Sequence, residues 1–179
     1  PDTLMAGTGK KIWWVYNTIS DTPCGHEWRT TGGARARNGT GCPACAGKEV
    51  HIDGRNSIRK THPKLALEFH PTKNGVNNPD NTLPGSEKRI WWVCNTISKE
   101  PCGNEWLARP NARSNKGTQC PACMGNEVHI DGRNSMQTVN PELASEIHPS
   151  KNPGIDPNKI IAGTNKLIWW VCKTISDNP

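Results

Sequence analysis

The chain repeats itself every 78 residues, and no other feature constrains its fold so tightly. Trp13, Trp91 and Trp169 stand 78 apart, as do Cys24 and Cys102, Cys42 and Cys120, Cys45 and Cys123, and Cys94 and Cys172. Residues 1–78 and 79–156 share 43 identities, and EVHIDGRNS occurs unchanged at 49–57 and 127–135. The 179 residues are two full periods and 23 residues of a third. The first copy opens inside a unit, and the third reaches Pro179 where the pattern predicts a cysteine next. The sequence therefore reads as a segment of a longer array.

Such units cannot build a large aliphatic core. Hydrophobic residues make up 33%, with a single Phe and a single Tyr, against 17 Gly and 15 Pro. A chain of this kind needs cross-links, and its eight cysteines are the candidates. In the second copy Cys94 and Cys102 flank a hairpin-like turn, and Cys120 and Cys123 form a CPAC knuckle. Two such pairs supply four thiolates, the ligand set of a closed, structural, tetrahedral zinc site. Two disulfides are the alternative, but a bridged CxxC is strained and the chain carries no secretory sign. A redox CxxC lacks its usual strand–helix context. The first copy departs, because Tyr16 stands where Cys94 and Cys172 stand, leaving Cys24, Cys42 and Cys45. It does carry His26 where the second copy has Asn104. His26 is the candidate fourth ligand, and the competing reading is a strand-face histidine with the site lost or completed by water. Of the third copy only Cys172 is present.

The expected fold is a small zinc-stabilised α+β module in tandem, each unit a short β-hairpin, a CPAC knuckle and a short helix. Residues 89–93 and 104–108 read as the strands, and 109–119 as a polar loop. Residues 140–149 read as a helix with Asn140 as N-cap, Pro141 at the first helical position, and Leu143 and Ile147 on one face. Unit boundaries fall at 1–47 for the first unit and 48–125 for a linker, helix and second unit. Residues 126–179 are a linker, a helix and the start of a third. Adjacent residues on a strand point to opposite faces, so one Trp of each pair can pack with Trp28 or Trp106 beneath the metal. The other faces outward, where an exposed Trp could also stack on a base. The remaining histidines, His51, His62, His70, His129 and His148, read as capping or surface groups.

The stretches NSMQTVNPELASEIHPSKN, IAGTNKLIWWVC, CGHEW and GTGCPAC resemble the zinc-ribbon, or treble-clef, zinc-finger domain found in tandem arrays in bacteria, algae and large DNA viruses. The resemblance covers nearly the whole period. It implies that the residue at His26 is a ligand in many members, within a shorter turn. Here the longer turn adds Cys24 and Cys102, and Asn104 suggests that Cys102 replaces the histidine. The resemblance also implies nucleic-acid binding, by association with nuclease-like domains.

Formal net charge is +6, unevenly spread. Residues 1–78 carry 11 Lys/Arg against 6 Asp/Glu, and residues 79–156 carry 8 against 9. This is no uniform basic stripe, although Arg35, Arg37, Arg55, Arg113, Lys116 and Arg133 sit in loops where they could meet phosphates. Two functions follow as expectations. One is a non-catalytic zinc module that binds nucleic acid through those arginines and exposed tryptophans. The other is an assembly module, a spacer or cementing component of a large complex or virus particle. Catalysis is not expected: a four-ligand zinc has no open position, and only Glu27 and Glu105 recur beside the Cys-Gly turn. No membrane span and no small-molecule substrate is expected. Zinc thiolates point to a reducing compartment, cytoplasm or nucleus, or to a virus particle assembled there.

Overall fold

The stretch IWWV recurs at 12–15, 90–93 and 168–171, and the first two occurrences open the same structural plan. The computed structural model describes residues 4–17 and 23–172. It forms two compact units. One comprises Pro1–Ile90 with Ala108–Gly117, the other Trp91–Leu107 with Thr118–Pro179.

In the first unit β1 (Lys11–Val15) pairs antiparallel with β2 (Glu27–Thr31), with Trp14 opposite Trp28 and Trp13 opposite Arg29. The alternation sorts the adjacent tryptophans: Trp14 packs against the buried cluster of Trp28, Cys42 and Ala44, whereas Trp13 is 71% exposed. Thr31 ends the strand and caps α1 (Gly32–Ala36), its hydroxyl accepting from the Ala34 amide at 3.1 Å. After the CPAC knuckle the chain enters a tight helical corner, α2 (Ile58–Thr61) and α3 (Pro63–Leu67). Ser57 caps α2 by accepting from the Lys60 amide, and Pro63 restarts the helix at its first position, where a missing N–H costs nothing. Ile58, Leu65, Ala66 and Phe69 are buried. The loop back to the next hairpin is tied to the corner by Ile58 N–H to Thr82 O and Arg59 N–H to Pro79 O. The segment 109–119, expected as a loop, contains a helical turn, α4 (Pro110–Ser114), whose Pro110 again takes the first helical position.

The second unit repeats the plan. β3 (Ile90–Val93) pairs with β4 (Glu105–Ala108), and Trp92 and Trp106 are buried. The helical corner is α5 (Met136–Val139), capped by Ser135, and α6 (Pro141–Ser145). Met136, Ala144 and Ile160 form its core, with Ile147, Ile155 and Ile168 packed against them. The expected helix at 140–149 is therefore shorter and has a partner before it. Pro141 does start it, but the Asn140 side chain makes no capping bond. The helix stops at Ser145 because the chain turns extended there. Ile147 bridges Trp170, and the His148 amide donates to Trp169 O at 2.9 Å.

Candidate metal centre

Two strand ends and one knuckle build each site. In the second copy the hairpin continues past β3 and β4: the Cys94 amide donates to Asn104 O and the Gly103 amide to Cys94 O, both at 2.9 Å. Gly103 holds a positive φ of 71°, which an L side chain adopts poorly, and so turns Cys102 back towards Cys94. The knuckle is closed by the Met124 amide on Cys120 O at 3.0 Å and the Gly125 amide on Ala122 O at 3.0 Å. The four sulfurs of Cys94, Cys102, Cys120 and Cys123 all lie within 4.8 Å of one another. Three edges are short: Cys94–Cys123 at 3.6 Å, Cys102–Cys120 at 3.7 Å and Cys102–Cys123 at 3.5 Å. A tetrahedron with zinc–sulfur bonds of about 2.3 Å has sulfur–sulfur edges of roughly 3.8 Å, whereas a disulfide bond is about 2.0 Å. The spacing suits a shared zinc ion and not bridged pairs, and all eight cysteines are free thiols.

The thiols titrate against one another. Burial, with the neighbouring Cys123, Cys120 and Cys94 thiols, pushes Cys102 up to about 12, although the Asn104 amide opposes this. Burial also raises Cys123, but the Ser98 hydroxyl and the other three cysteines outweigh it and leave Cys123 below its ordinary value. Such a cluster ionises fully only when a cation enters, which is how zinc and proton release are coupled.

The first copy reproduces three corners. Cys24, Cys42 and Cys45 lie within 4.8 Å of one another, with Cys24–Cys42 at 3.6 Å. Tyr16 keeps the backbone role of Cys94, donating its amide to His26 O at 3.0 Å and accepting from Gly25 at 2.9 Å, but its ring packs against the Trp28 cluster. Burial pushes the Cys24 thiol up, yet the His26 amide, Cys45, the His51 ring and Cys42 bring it down to about 7. His26, expected as the fourth ligand, is not part of the sulfur group. Its ring stacks on Trp28, Nδ1 accepts from the Ile52 amide at 3.2 Å, and the buried Nε2 lies 3.7 Å from Glu49 with no hydrogen-bond partner among the described residues. His51 lies nearer the sulfurs than the sequence suggests. Its Nε2 is 2.9 Å from Cys24 O and its Nδ1 2.6 Å from Asp53. Cys172 is exposed and joins no group among the described residues.

The residues expected to meet phosphates occupy different settings. Arg113 is a correction to the loop reading: it is buried, its Nη2 donating to Glu68 Oε2 at 2.6 Å with both side chains 1% exposed. The helical turn α4 carries it inward. Arg35, its counterpart in the first copy, lies over Trp14 and Trp28 at 5.1 and 5.2 Å and donates to Thr40 O. Arg55 pairs with Asp53 at 2.7 Å and Arg133 with Asp131 at 3.7 Å. Arg37 and Lys116 are exposed.

Two asparagines beyond the sequence reading, with histidines expected as capping groups, hold the loops. Asn56 accepts from the His51 amide at 2.7 Å and donates to Glu49 O at 3.1 Å. Asn134 makes the same clamp with His129 and Glu127 at 2.7 and 3.0 Å. His70 Nδ1 accepts from the Thr72 and Lys73 amides, and His148 Nδ1 from Ser150 and Lys151. The signal was present as the unchanged EVHIDGRNS and the recurring HPxKN, which mark loop clamps as readily as ligands.

Hairpin, CPAC knuckle and clustered thiols, repeated, define a tandem zinc-finger module of treble-clef type. The family described as "Probable Treble clef zinc finger domain" matches residues 1–48 and 65–126, more than half of the chain, and the chain belongs to that family. No curated protein matches it. No helix among the described residues is long and apolar enough to cross a membrane.

Proposed function

We propose that the chain is a non-catalytic assembly module, a zinc-stapled spacer that contacts other protein surfaces. The observation that carries this reading is the fate of the arginines. Of the six basic side chains that a polyanion would need, Arg113, Arg55 and Arg133 are paired with carboxylates and Arg35 is stacked on tryptophans. The second copy, with 8 Lys/Arg against 9 Asp/Glu, offers no surplus of positive charge. Four thiolates around one zinc leave no position for a substrate or an activated water. They also require reduced sulfur, which goes with a reducing compartment or a particle assembled in one.

Nucleic-acid binding is the second reading, favoured by one face. On the outer side of the first hairpin the exposed Trp13 stands opposite Arg29 and two residues from Lys11. An aromatic beside cations is the pattern of a stacking platform. Fluorescence anisotropy with labelled single-stranded DNA, duplex DNA and RNA over a salt series separates the two. The assembly reading expects only weak binding that vanishes at physiological salt and does not respond to Trp13→Ala. Binding that persists there and is lost with Trp13→Ala or Arg29→Ala would overturn it.

A further inference from the structure

The stretch EVHIDGRNS is identical in the two copies, yet its histidine is held differently in each, and the difference falls beside the sulfur groups. In the second copy, with four clustered cysteines, His129 is half-buried and Arg133 donates from Nη2 to its Nδ1 at 3.2 Å. In the first copy, where Tyr16 stands in place of a cysteine, His51 is 5% exposed. There Nδ1 meets Asp53 Oδ1 at 2.6 Å, and Arg55 holds that carboxylate at 2.7 Å instead of the ring.

These contacts set the two rings in opposite tautomers. An ionised carboxylate only accepts, so His51 carries a proton on Nδ1 and Nε2 is its ligand nitrogen. The Asp53 amide approaches the same Nδ1 at 3.3 Å, the longer and weaker contact. A guanidinium only donates, so His129 Nδ1 keeps its lone pair and the proton goes to Nε2. His26 is set like His129, because its Nδ1 accepts from the Ile52 amide at 3.2 Å. His70 and His148 also accept from amides at Nδ1. A metal-ligating histidine characteristically gives its other N–H to a carboxylate or a carbonyl, and His51 has that arrangement.

The place of the ring agrees with its tautomer. Cys24, Cys42 and Cys45 supply three corners of a tetrahedron, and Tyr16, at the fourth, packs its ring against the Trp28 cluster. His51 Nε2 lies 2.9 Å from Cys24 O, and the ring also hydrogen-bonds the Cys24 thiol. His51 stands outside the group whose ligand atoms all lie within 4.8 Å of one another. Coordination therefore takes a swing of the ring about its Asp53 contact. Nε2 exchanges Cys24 O for the metal, and its proton leaves with those of the thiols.

We propose that His51 is the fourth ligand of the first metal centre, bound through Nε2 with Asp53 behind Nδ1. The two centres are then chemically unlike, one all-sulfur and the other three sulfurs and an imidazole. The same loop is a plain clamp in the second copy and a ligand arm in the first. This holds whatever surface the module contacts.

Two spectra of the full chain test it. Loaded with cadmium-113, a soft stand-in for zinc, the chain should give two metal resonances. One falls in the all-thiolate range and one at lower frequency, where a nitrogen replaces a sulfur. On the zinc-loaded chain, two-bond proton–nitrogen correlation of the imidazoles should show His51 with Nε2 on the metal and Nδ1 protonated. His51→Ala should abolish or move the second cadmium resonance. It should weaken one zinc ion by more than the about 10–100-fold that loss of an outer partner costs. The all-thiolate resonance should persist in that variant, and His129→Ala should leave both resonances in place. A second resonance that His51→Ala leaves unmoved, one lost with His26→Ala while His51→Ala keeps it, or a chain that takes a single ion would overturn the proposal. So would a parent protein whose His51 Nε2 shows no metal shift, however the variants behave.

Discussion

Replacing Glu68 with Gln keeps the shape of the side chain and removes the carboxylate charge 2.6 Å from the Arg113 guanidinium, which is 1% exposed. Removing one member of a buried pair typically costs about 3–5 kcal/mol. The same substitution one period on, Glu146→Gln, touches a half-buried carboxylate with no ion pair among the described residues and should cost within about 0.5 kcal/mol. With a urea m-value of roughly 2 kcal/mol/M, the first change moves the unfolding midpoint of its unit down by about 2 M and the second leaves its midpoint in place. Tryptophan fluorescence across a urea series, on zinc-loaded protein, reads both. Changing Glu68 and Arg113 together, to Gln and Met, should recover much of the loss, because the cost lies in the stranded charge. Equal shifts for the two single variants would refute the reasoning, since burial of the pair would then not set the energy.

Cys120→Ser should remove one metal ion from the second unit and unfold it, while the first unit keeps its own. Native mass spectrometry should show one zinc fewer per chain, and loss from the first unit instead would contradict the grouping of the sulfurs. Hydrogen bonds from Arg55 hold the Asp53 carboxyl well below the usual carboxylate range. A depressed acid stabilises the folded state above its unfolded value and loses that effect as pH falls through its folded one. The destabilisation caused by Asp53→Asn should therefore shrink in acid, below about pH 5, where an ordinary Asp begins to protonate. Its share from His51, which Cys24 and Asp53 hold protonated against burial in the metal-free chain, should fade as pH rises through the imidazole's raised value. It should also be small, because the pair is exposed. Unfolding midpoints of variant and parent across that range check it, and a penalty that grows in acid would contradict the sign.

The metal ligands of the second copy were legible because four cysteines at fixed spacing leave few arrangements. The alternation of Trp13 and Trp14 was legible too, since a strand allows only two faces. Arg113 was not. A polar stretch such as PNARSNKG reads as a loop, and only the arrival of Glu68, 45 residues distant, shows that one turn of helix carries the guanidinium inward. Nor was the helical corner, because MQTV has no helical period of its own and depends on the Ser135 cap and on bonds to Pro157 O and Ile160 O. His26 could be read from the sequence only as a candidate beside Cys24; just before β2 its ring stacks on Trp28 and its buried Nε2 has no hydrogen-bond partner among the described residues.

The same 45-residue separation sets an order of events during synthesis. At about 5–20 residues per second, Glu68 leaves the ribosome some seconds before Arg113. For that interval the α2–α3 corner holds a carboxylate with no arginine to neutralise it, and a charge in that state stays in water. Closure of the first unit then waits on translation of the hairpin that follows it. The nascent chain closes this contact 45 residues beyond the point at which Glu68 was made, a little over half a period.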